Sequence, residues 1–325
     1  MSIYLNIKLL IINMEDSFIQ KYQPLVISDF ELDENLIKSI QELIEIGNLN
    51  ILFVGKSGTG KTSLIQSIIN EYFGDLPHHI MHVNNLKDQG IHYYRSEVKT
   101  FCQTSTFQNK KKIILLDDLD NINEQSQQVF RNAMDKYGHN INFICSCSNI
   151  QKVIESIQSR LIILRINSCS EESLNNIMEK IIKREKIQFE GISKNKMLKL
   201  SNGSIRALIN YLEKCKLYNK LITEDLVELL CTNIHFNDLK LYFRECQNKN
   251  LIGALEKINV IFNSGFSVID ILDYLFFYIK LNDFIDVEIK YKIIKLLCKY
   301  IAIFHNTHED EFELYFLTNK IIKLF

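Results

Sequence analysis

The stretch Ile51–Ile65, ILFVGKSGTGKTSLI, carries three signals in succession. Ile51–Val54 is a short apolar run of the kind that forms a buried strand. A glycine-rich turn follows at once, and from Ser63 to Phe73 the residues Leu64, Ile68, Ile69 and Phe73 keep helical spacing. Within it, GKSGTGKT at 55–62 satisfies G-x-x-x-x-G-K-[ST] in full, with strand before and helix after. Glycines 55, 58 and 60 let the backbone wrap around phosphate oxygens and aim its amides at them. The helix N-terminus adds partial positive charge. Lys61 is expected to reach the β- and γ-phosphates, and the Thr62 hydroxyl to ligate magnesium. The candidate binding set is Gly55, Lys56, Ser57, Gly58, Thr59, Gly60, Lys61, Thr62 and Ser63, with ATP and Mg2+ as the expected cofactors. A glycine turn that binds nothing is the alternative, and the strand–loop–helix context weighs against it.

Outward from this stretch, IILLDDLD at 113–120 is a second apolar run closed by carboxylates. Asp117 is placed to hold the magnesium, and Asp118 to orient an attacking water. Carboxylates after a strand are often only a solvated strand end; behind a phosphate loop they are read as functional. A third run, Ile141–Cys147, ends in Ser148 and Asn149, and a fourth, Leu161–Ile166, follows Arg160. Strands alternating with helical stretches imply a parallel sheet with its functional loops at the strand C-terminal ends. After about Asn167 the strands stop. Residues 168–230 read as a small helical unit, with Leu174, Ile177, Ile181 and Ile182 on one face, and 231–325 as a further helical unit. The expected class is α/β, a P-loop parallel-sheet base over 14–167 with a helical lid and a separate all-helical C-terminal domain.

The first thirteen residues, MSIYLNIKLLIIN, are apolar but broken by Asn6 and Lys8, and are too short to span a bilayer. They form an N-terminal extension, read either as an extra edge strand or as residues ahead of a true start at Met14. No membrane segment is expected. With 46% hydrophobic and 24% charged residues and a net charge of −1, non-specific basic coating of nucleic acid is excluded as the main activity. Two prolines, eleven glycines and no tryptophan point to a mostly helical chain. The eight cysteines contain no C-x-x-C pair, so a zinc or redox centre is a weak reading and a reduced intracellular protein the better one. His78, His79, His82 and His92 read as a polar connection, Lys110–Lys112 as a solvated loop run, and Tyr274, Phe276, Phe277 and Tyr278 as helical packing or subunit contact.

Several segments together resemble the small subunits of the sliding-clamp loader, replication factor C, among the AAA+ ATPases. KYQP at 21–24 is similar to the family's KYRP element, and NNLKDQGIHYYRSEVKTF at 84–101 to its N-A-S-D-x-R-G-I segment. QSQQVFRNAMDKYGHNINFICSCSN at 125–149 resembles the helix and strand after its acidic box. IQSR at 157–160 resembles the SRC motif, GSIRALIN at 203–210 the second sensor helix, and SGFSVIDIL at 264–272 a turn–helix of the collar. The C-terminal helical unit would then be the oligomerising collar.

The resemblance implies roles. Arg160 would be an arginine finger acting in trans, reaching a neighbouring subunit's ATP, and Arg206 the second sensor on the lid. Arg95 and Lys99, four apart on a helix, would track the phosphate backbone of primer–template DNA. Without the resemblance, Arg160 would read as a surface ion pair and Arg95, Lys99 and Arg206 as solvated side chains. The implied partners are other clamp-loader subunits in a hetero-pentamer, a sliding clamp and primer–template DNA. The implied location is the nucleus in a eukaryote, and otherwise the cytoplasm or a viral replication compartment.

This chain also departs from the family. Asp118 stands where glutamate is usual, retracting the carboxylate by roughly 1 Å, and misplacement on that scale can cost about a hundredfold in rate. The first-sensor asparagine aligns to Ser148, with Asn149 one residue along. Gln23, Leu161, Lys56 and Ser57 replace the KYRP arginine, the SRC cysteine and the loop's paired prolines. Nucleotide binding is expected to survive these changes, and hydrolysis is the step they touch. Two alternatives to an ATP-driven clamp-loader subunit stay open: a subunit that binds ATP but hardly hydrolyses it, and another AAA+ motor such as a helicase loader or branch-migration ATPase.

Overall fold

The apolar runs of the N-terminal half pair into one parallel sheet in the computed structural model, which describes residues 17–74, 79–83, 91–104, 110–191, 193–232, 234, 236–281, 285–304, 308 and 310–325. The strands are β1 (Ile51–Val54), β2 (Ile80–Val83), β3 (Lys112–Leu116), β4 (Ile141–Cys147) and β5 (Ile162–Arg165), in the order β2-β3-β4-β1-β5. All four pairings are parallel. Around the sheet run α1 (Phe18–Lys21), α2 (Glu34–Ile46), α3 (Lys61–Phe73), α4 (Ile91–Gln103), α5 (Glu124–Tyr137) and α6 (Glu155–Gln158). Then come α7 (Glu171–Glu185), α8 (Ser193–Ser201) and α9 (Ile205–Tyr218).

Side chains on a strand alternate between faces, and both faces are covered here. Ile51 and Phe53 of β1 join Ile113, Leu115 and Ile144 in a core closed by Leu64, Ile65 and Ile68 of α3 and Ile40 of α2. Leu52 joins Ile114, Phe143, Cys145 and Cys147 in a second core under α4 and α5, closed by Val98, Cys102, Val129 and Phe130. Cys145 and Cys147 thus share a face, as their spacing suggests. All eight cysteines are free thiols.

Two expectations about the first unit's connections need correction. The histidine stretch is not simply a polar connection: Ile80–Val83 is strand β2, with His82 opposite Leu115, and the His79 ring stacks on Phe73 at 5.8 Å. Four residues at a sheet edge are too few to announce their period. His78 and the side chain of His92 lie outside the described residues. Lys112 is not part of a solvated run. It opens β3 and is buried, and its ammonium donates to the Phe101 carbonyl (2.7 Å) and to the Thr104 carbonyl beyond the end of α4. A cation is favourable where helix carbonyls lack partners.

The chain divides into two compact units, Met1–Leu221 and Ile222–Phe325. In the first, α7, α8 and α9 pack together through Leu174, Met178, Met197, Leu208 and Leu212. The division follows the left-handed end of α9 at Asn219 (φ 50°). Residues 222–230, grouped with the lid by sequence, therefore belong to the second unit. That unit holds α10 (Glu224–Cys231), α11 (Phe236–Gln247), α12 (Leu251–Asn263), α13 (Val268–Leu281), α14 (Val287–Phe304) and α15 (Glu311–Ile322). Ser267 and Asp270 cap α13 reciprocally, each backbone amide donating to the other's side chain (3.3 and 3.1 Å). Of the aromatic stripe, Tyr278 is core packing: its ring stacks on Phe243 at 5.5 Å and meets Phe236 edge-on at 5.4 Å, while Tyr274, Phe276 and Phe277 are half-buried. Among the described residues no single helix is long and apolar enough to cross a membrane. The α12–α13 pair reaches that length only across a 119° bend.

A buried glutamine fastens the loops at the C-terminal edge of the sheet. Gln127 of α5 is fully buried and donates from Nε2 to the carbonyls of Ile122 (2.9 Å), Lys152 (2.9 Å) and Leu119 (3.3 Å). Its Oε1 accepts from the Ile154 amide at 2.9 Å. Gln127→Leu keeps the bulk but removes a partner from each of these four groups, of which the Leu119 carbonyl still accepts from the Ile122 amide, so it is expected to destabilise the first unit by about 2–4 kcal/mol. A lowered urea midpoint, monitored by hydrogen exchange in β3 and β4, is the measurement that checks it.

Candidate nucleotide-binding site

Beyond β1 the backbone runs where side chains do not fit. A Cβ on Gly55 would lie 2.5 Å from the Ile166 carbonyl oxygen. Gly58 (φ 78°) and Gly60 (φ 92°) adopt the left-handed conformation that glycine tolerates without cost. The loop then enters α3 at Lys61, whose side chain is buried. Its ammonium donates to the carbonyls of Gly55 (2.7 Å) and Lys56 (2.9 Å). Burial lowers the Lys61 pKa, and the carboxylates of Asp118, Asp117 and Asp120 oppose that shift. Thr59 closes the loop by donating to the Lys56 carbonyl at 2.9 Å, and Lys56 and Ser57 are exposed at its tip.

The acidic residues reach this loop across β4. Leu116 pairs with Cys145, so Asp117, one residue past β3, comes level with Ser146. The buried Ser146 hydroxyl donates to Asp117 Oδ1 and accepts from the Asp118 amide at 3.0 Å. On the other oxygen, Asp117 Oδ2 accepts from the Thr62 hydroxyl at 3.0 Å. Asp118 is left-handed (φ 49°), a conformation that aspartate adopts more readily than most residues. Its pKa is raised, first by burial and then by Asp117 and Asp120, against the pull of Lys61 and Arg206. Asp120 Oδ2 accepts from the amides of Ser148 (3.2 Å) and Asn149 (3.0 Å).

The residues present fit a nucleotide with its metal. Thr62 and Asp117 offer hard oxygen donors side by side. Among the described residues no cluster of three or more His, Cys, Asp or Glu could hold a metal alone. Magnesium commonly takes one or two protein oxygens and completes its shell from phosphates and water. Beside the loop, a cavity of about 550 Å³ lies between the α1 segment, Gly58, Gly60 and Ser63 of the loop, and the lid, with Tyr22, Pro24, Phe30, Ile181 and Ile209 among its lining. Its size and mixed lining suit a nucleoside.

The lid touches the loop directly. Ile205 at the start of α9 donates its amide to the Gly58 carbonyl at 3.0 Å, and a Cβ on Gly58 would lie 2.3 Å from Ser204 Oγ. Arg206, in the first turn of α9, is exposed and close enough for its charge to act on Asp118. α1 is tied to the same lid through Lys21 and Glu185 (2.6 Å) and through the Phe18 amide and Glu213 (3.1 Å).

The site therefore assembles Gly55 to Ser63, Asp117, Asp118 and Arg206. Other sequence-derived residues stand elsewhere. Arg160, between α6 and β5, is clamped on Asp135 of α5, Nε to Oδ1 at 2.6 Å and Nη2 to Oδ2 at 3.2 Å. That bond holds the Asp135 carboxyl below its usual range. Asn149 uses its side-chain oxygen to cap the 3₁₀ turn Ile150–Lys152, accepting from the Gln151 amide at 2.9 Å. Ser148 is exposed and gives its amide to Asp120. Arg95 and Lys99 are exposed on α4, whose Val98 and Cys102 are buried. Sequence reasoning missed Ser146, Asp120 and Ser204. A serine inside the otherwise apolar end of β4, and a third carboxylate in DDLD, were the available signals.

Comparison with known proteins agrees with this geometry. Residues 51–167 match the AAA ATPase family model, and residues 234–300 match the replication factor C C-terminal domain. A replication factor C small subunit of Acanthamoeba polyphaga mimivirus is 31% identical over 268 residues, covering 82% of this chain and 84% of the relative. Replication factor C subunit 4 of Schizosaccharomyces pombe is 27% identical, covering 82% and 79%. The small subunit of Sulfolobus acidocaldarius is 28% identical, covering 65% and 66%. Among solved structures, the Thermotoga maritima RuvB branch-migration motor superposes with a TM-score of 0.52 over 73% of this chain and 85% of that one. At 14% identity that likeness establishes the fold alone. With a phosphate loop, an acid pair level with it and a replication factor C helical domain in one chain, the protein belongs to the replication factor C small-subunit family of AAA+ ATPases.

Proposed function

We propose that the chain is an ATP-dependent subunit of a sliding-clamp loader, one member of a five-subunit ring that places a clamp on primer–template DNA. ATP with magnesium would lie on the Gly55–Ser63 loop, with Asp117 on the metal side and Asp118 orienting water. Arg206 would read the γ-phosphate from the lid. Arg95 and Lys99 would follow the DNA backbone, contacts that fix position and carry no sequence information. The place of action would be the nucleus of a eukaryote, or otherwise the cytoplasm or a viral replication compartment.

The observation that carries this reading is where Arg160 stands. It takes no part in its own chain's phosphate site, yet Asp135 and the Ser156 carbonyl hold its guanidinium in a fixed, partly exposed pose. Such exposed ion pairs contribute little and are easily exchanged. An arginine held ready outside its own site supports action on a neighbour's nucleotide, and hence a ring. ATP would drive the ring by binding its closed state more tightly than its open one.

Native mass spectrometry of the chain, purified with its companions from its own host, tests the assignment. Five chains with a larger related subunit and a recoverable clamp are expected; a homo-hexamer with no clamp would overturn it. In the assembled complex, Arg160→Ala should leave ATP binding at its own site intact and lower the neighbouring site's hydrolysis by roughly a hundredfold or more. Unchanged turnover there would remove Arg160 from the mechanism. Gly58→Ala places a Cβ against Ser204 on a left-handed backbone, which costs about 1–2 kcal/mol in conformation alone. Nucleotide affinity measured by calorimetry is expected to fall about tenfold.

A further inference from the structure

We infer that Ser146 is the positioning residue of the metal side of this site: through one hydroxyl it holds the Asp117 carboxylate and the Asp118 backbone, and so sets how much magnesium adds to nucleotide affinity. The inference rests on the nucleotide reading above and goes beyond it to a residue to which the sequence motifs assign no role.

Strand β4 lies between β1 and β3, and Ser146 pairs with Phe53 of β1 while standing level with Asp117 beyond β3. It is fully buried. A buried hydroxyl is costly unless its hydrogen-bonding capacity is used, and a serine has one hydrogen to give and two lone pairs to receive. The direction of each bond follows from the partners. The Asp118 amide can only donate, so Ser146 Oγ accepts from it, at 3.0 Å. The single hydroxyl hydrogen is then free for Asp117 Oδ1, which as a carboxylate oxygen can only accept.

Two consequences follow for the site. The Asp117 carboxylate is held at both oxygens, by Ser146 at Oδ1 and by Thr62 at Oδ2 (3.0 Å). Should the Thr62 hydroxyl be drawn to a metal, Ser146 still fixes the plane of the carboxylate. The same hydroxyl anchors the amide of Asp118, whose left-handed φ of 49° few residues other than glycine adopt. Metal ligand and water-orienting acid are therefore set by one atom. Ser148 and Asn149, which align with the family's first sensor, engage Asp120 by their amides, and the Asn149 side chain caps the following turn.

The test is a double-mutant cycle on the full-length chain with Ser146→Ala and Asp117→Asn. Binding of a fluorescent ADP analogue is titrated with and without Mg2+. Ser146→Ala is expected to leave metal-free affinity within about twofold and to cut the gain on adding Mg2+ by about tenfold, the range for a lost hydrogen bond to a charged group. Combined with Asp117→Asn, it should add no further loss, because both act through one carboxylate. Ser146→Cys tests the same point without a cavity, since a thiol is slightly larger than the hydroxyl it replaces. As a weaker donor it should give an intermediate gain. An unchanged magnesium gain, an additive cycle, or parallel losses with and without metal together with a lower melting temperature would each overturn the positioning role. A wild-type chain that bound the analogue under neither condition would overturn the nucleotide reading itself, a result distinct from all of these.

Discussion

The insertion of β4 between β1 and β3 is the constraint on which the remaining architecture rests. Neighbouring strands lie about 4.8 Å apart, so the phosphate loop after β1 and the carboxylates after β3 start about 10 Å from each other. Nothing in either segment closes that distance alone. The Thr62 hydroxyl extends from the first turn of α3 toward Asp117, and Ser146 rises from the intervening strand to meet the same carboxylate. The strand order also explains why β4 carries a buried hydroxyl at Ser146, level with the carboxylate it meets.

Around this centre, polar groups do the fastening where apolar packing cannot reach. Gln127 gathers the backbone of two loops, Asp120 gathers two amides at the end of β4, and Lys112 caps the end of α4. Buried polar groups of this kind specify one arrangement of loops, because any other leaves donors or acceptors unpaired. The first unit thus combines two apolar cores of ordinary character with a strictly defined rim.

The fold was legible because its signals are local. The apolar runs at 51–54, 113–116 and 141–147 announce buried strands, and GKSGTGKT fixes the turn between one of them and a helix. β2 escaped notice because a four-residue edge strand containing His82 lacks enough period to stand out. In the site, Lys61, Thr62, Asp117 and Asp118 could be named from spacing, since their chemistry follows from the motif itself. Ser146 and Ser204 could not, because what distinguishes each is a partner across the sheet or the lid: Asp117 is 29 residues from Ser146, and Gly58 meets Ser204 only after the lid has folded back. Lys112 failed for the opposite reason: three consecutive lysines look like solvated surface, and only register shows that one of them lies inside.

The docking of α9 on Gly58 has a mechanical side. The helix runs for 14 residues, about 21 Å, from an amide seated on the loop carbonyl to Tyr218, shortly before the first unit ends at Leu221. A stiff rod pivoting at one end magnifies motion at the other: a tilt of about 10° would displace the far end by about 4 Å. Within the first unit, a shift of the loop carbonyl would in this way be felt along the whole of α9. The position of the lid helix is thus tied to a single glycine carbonyl of the phosphate loop.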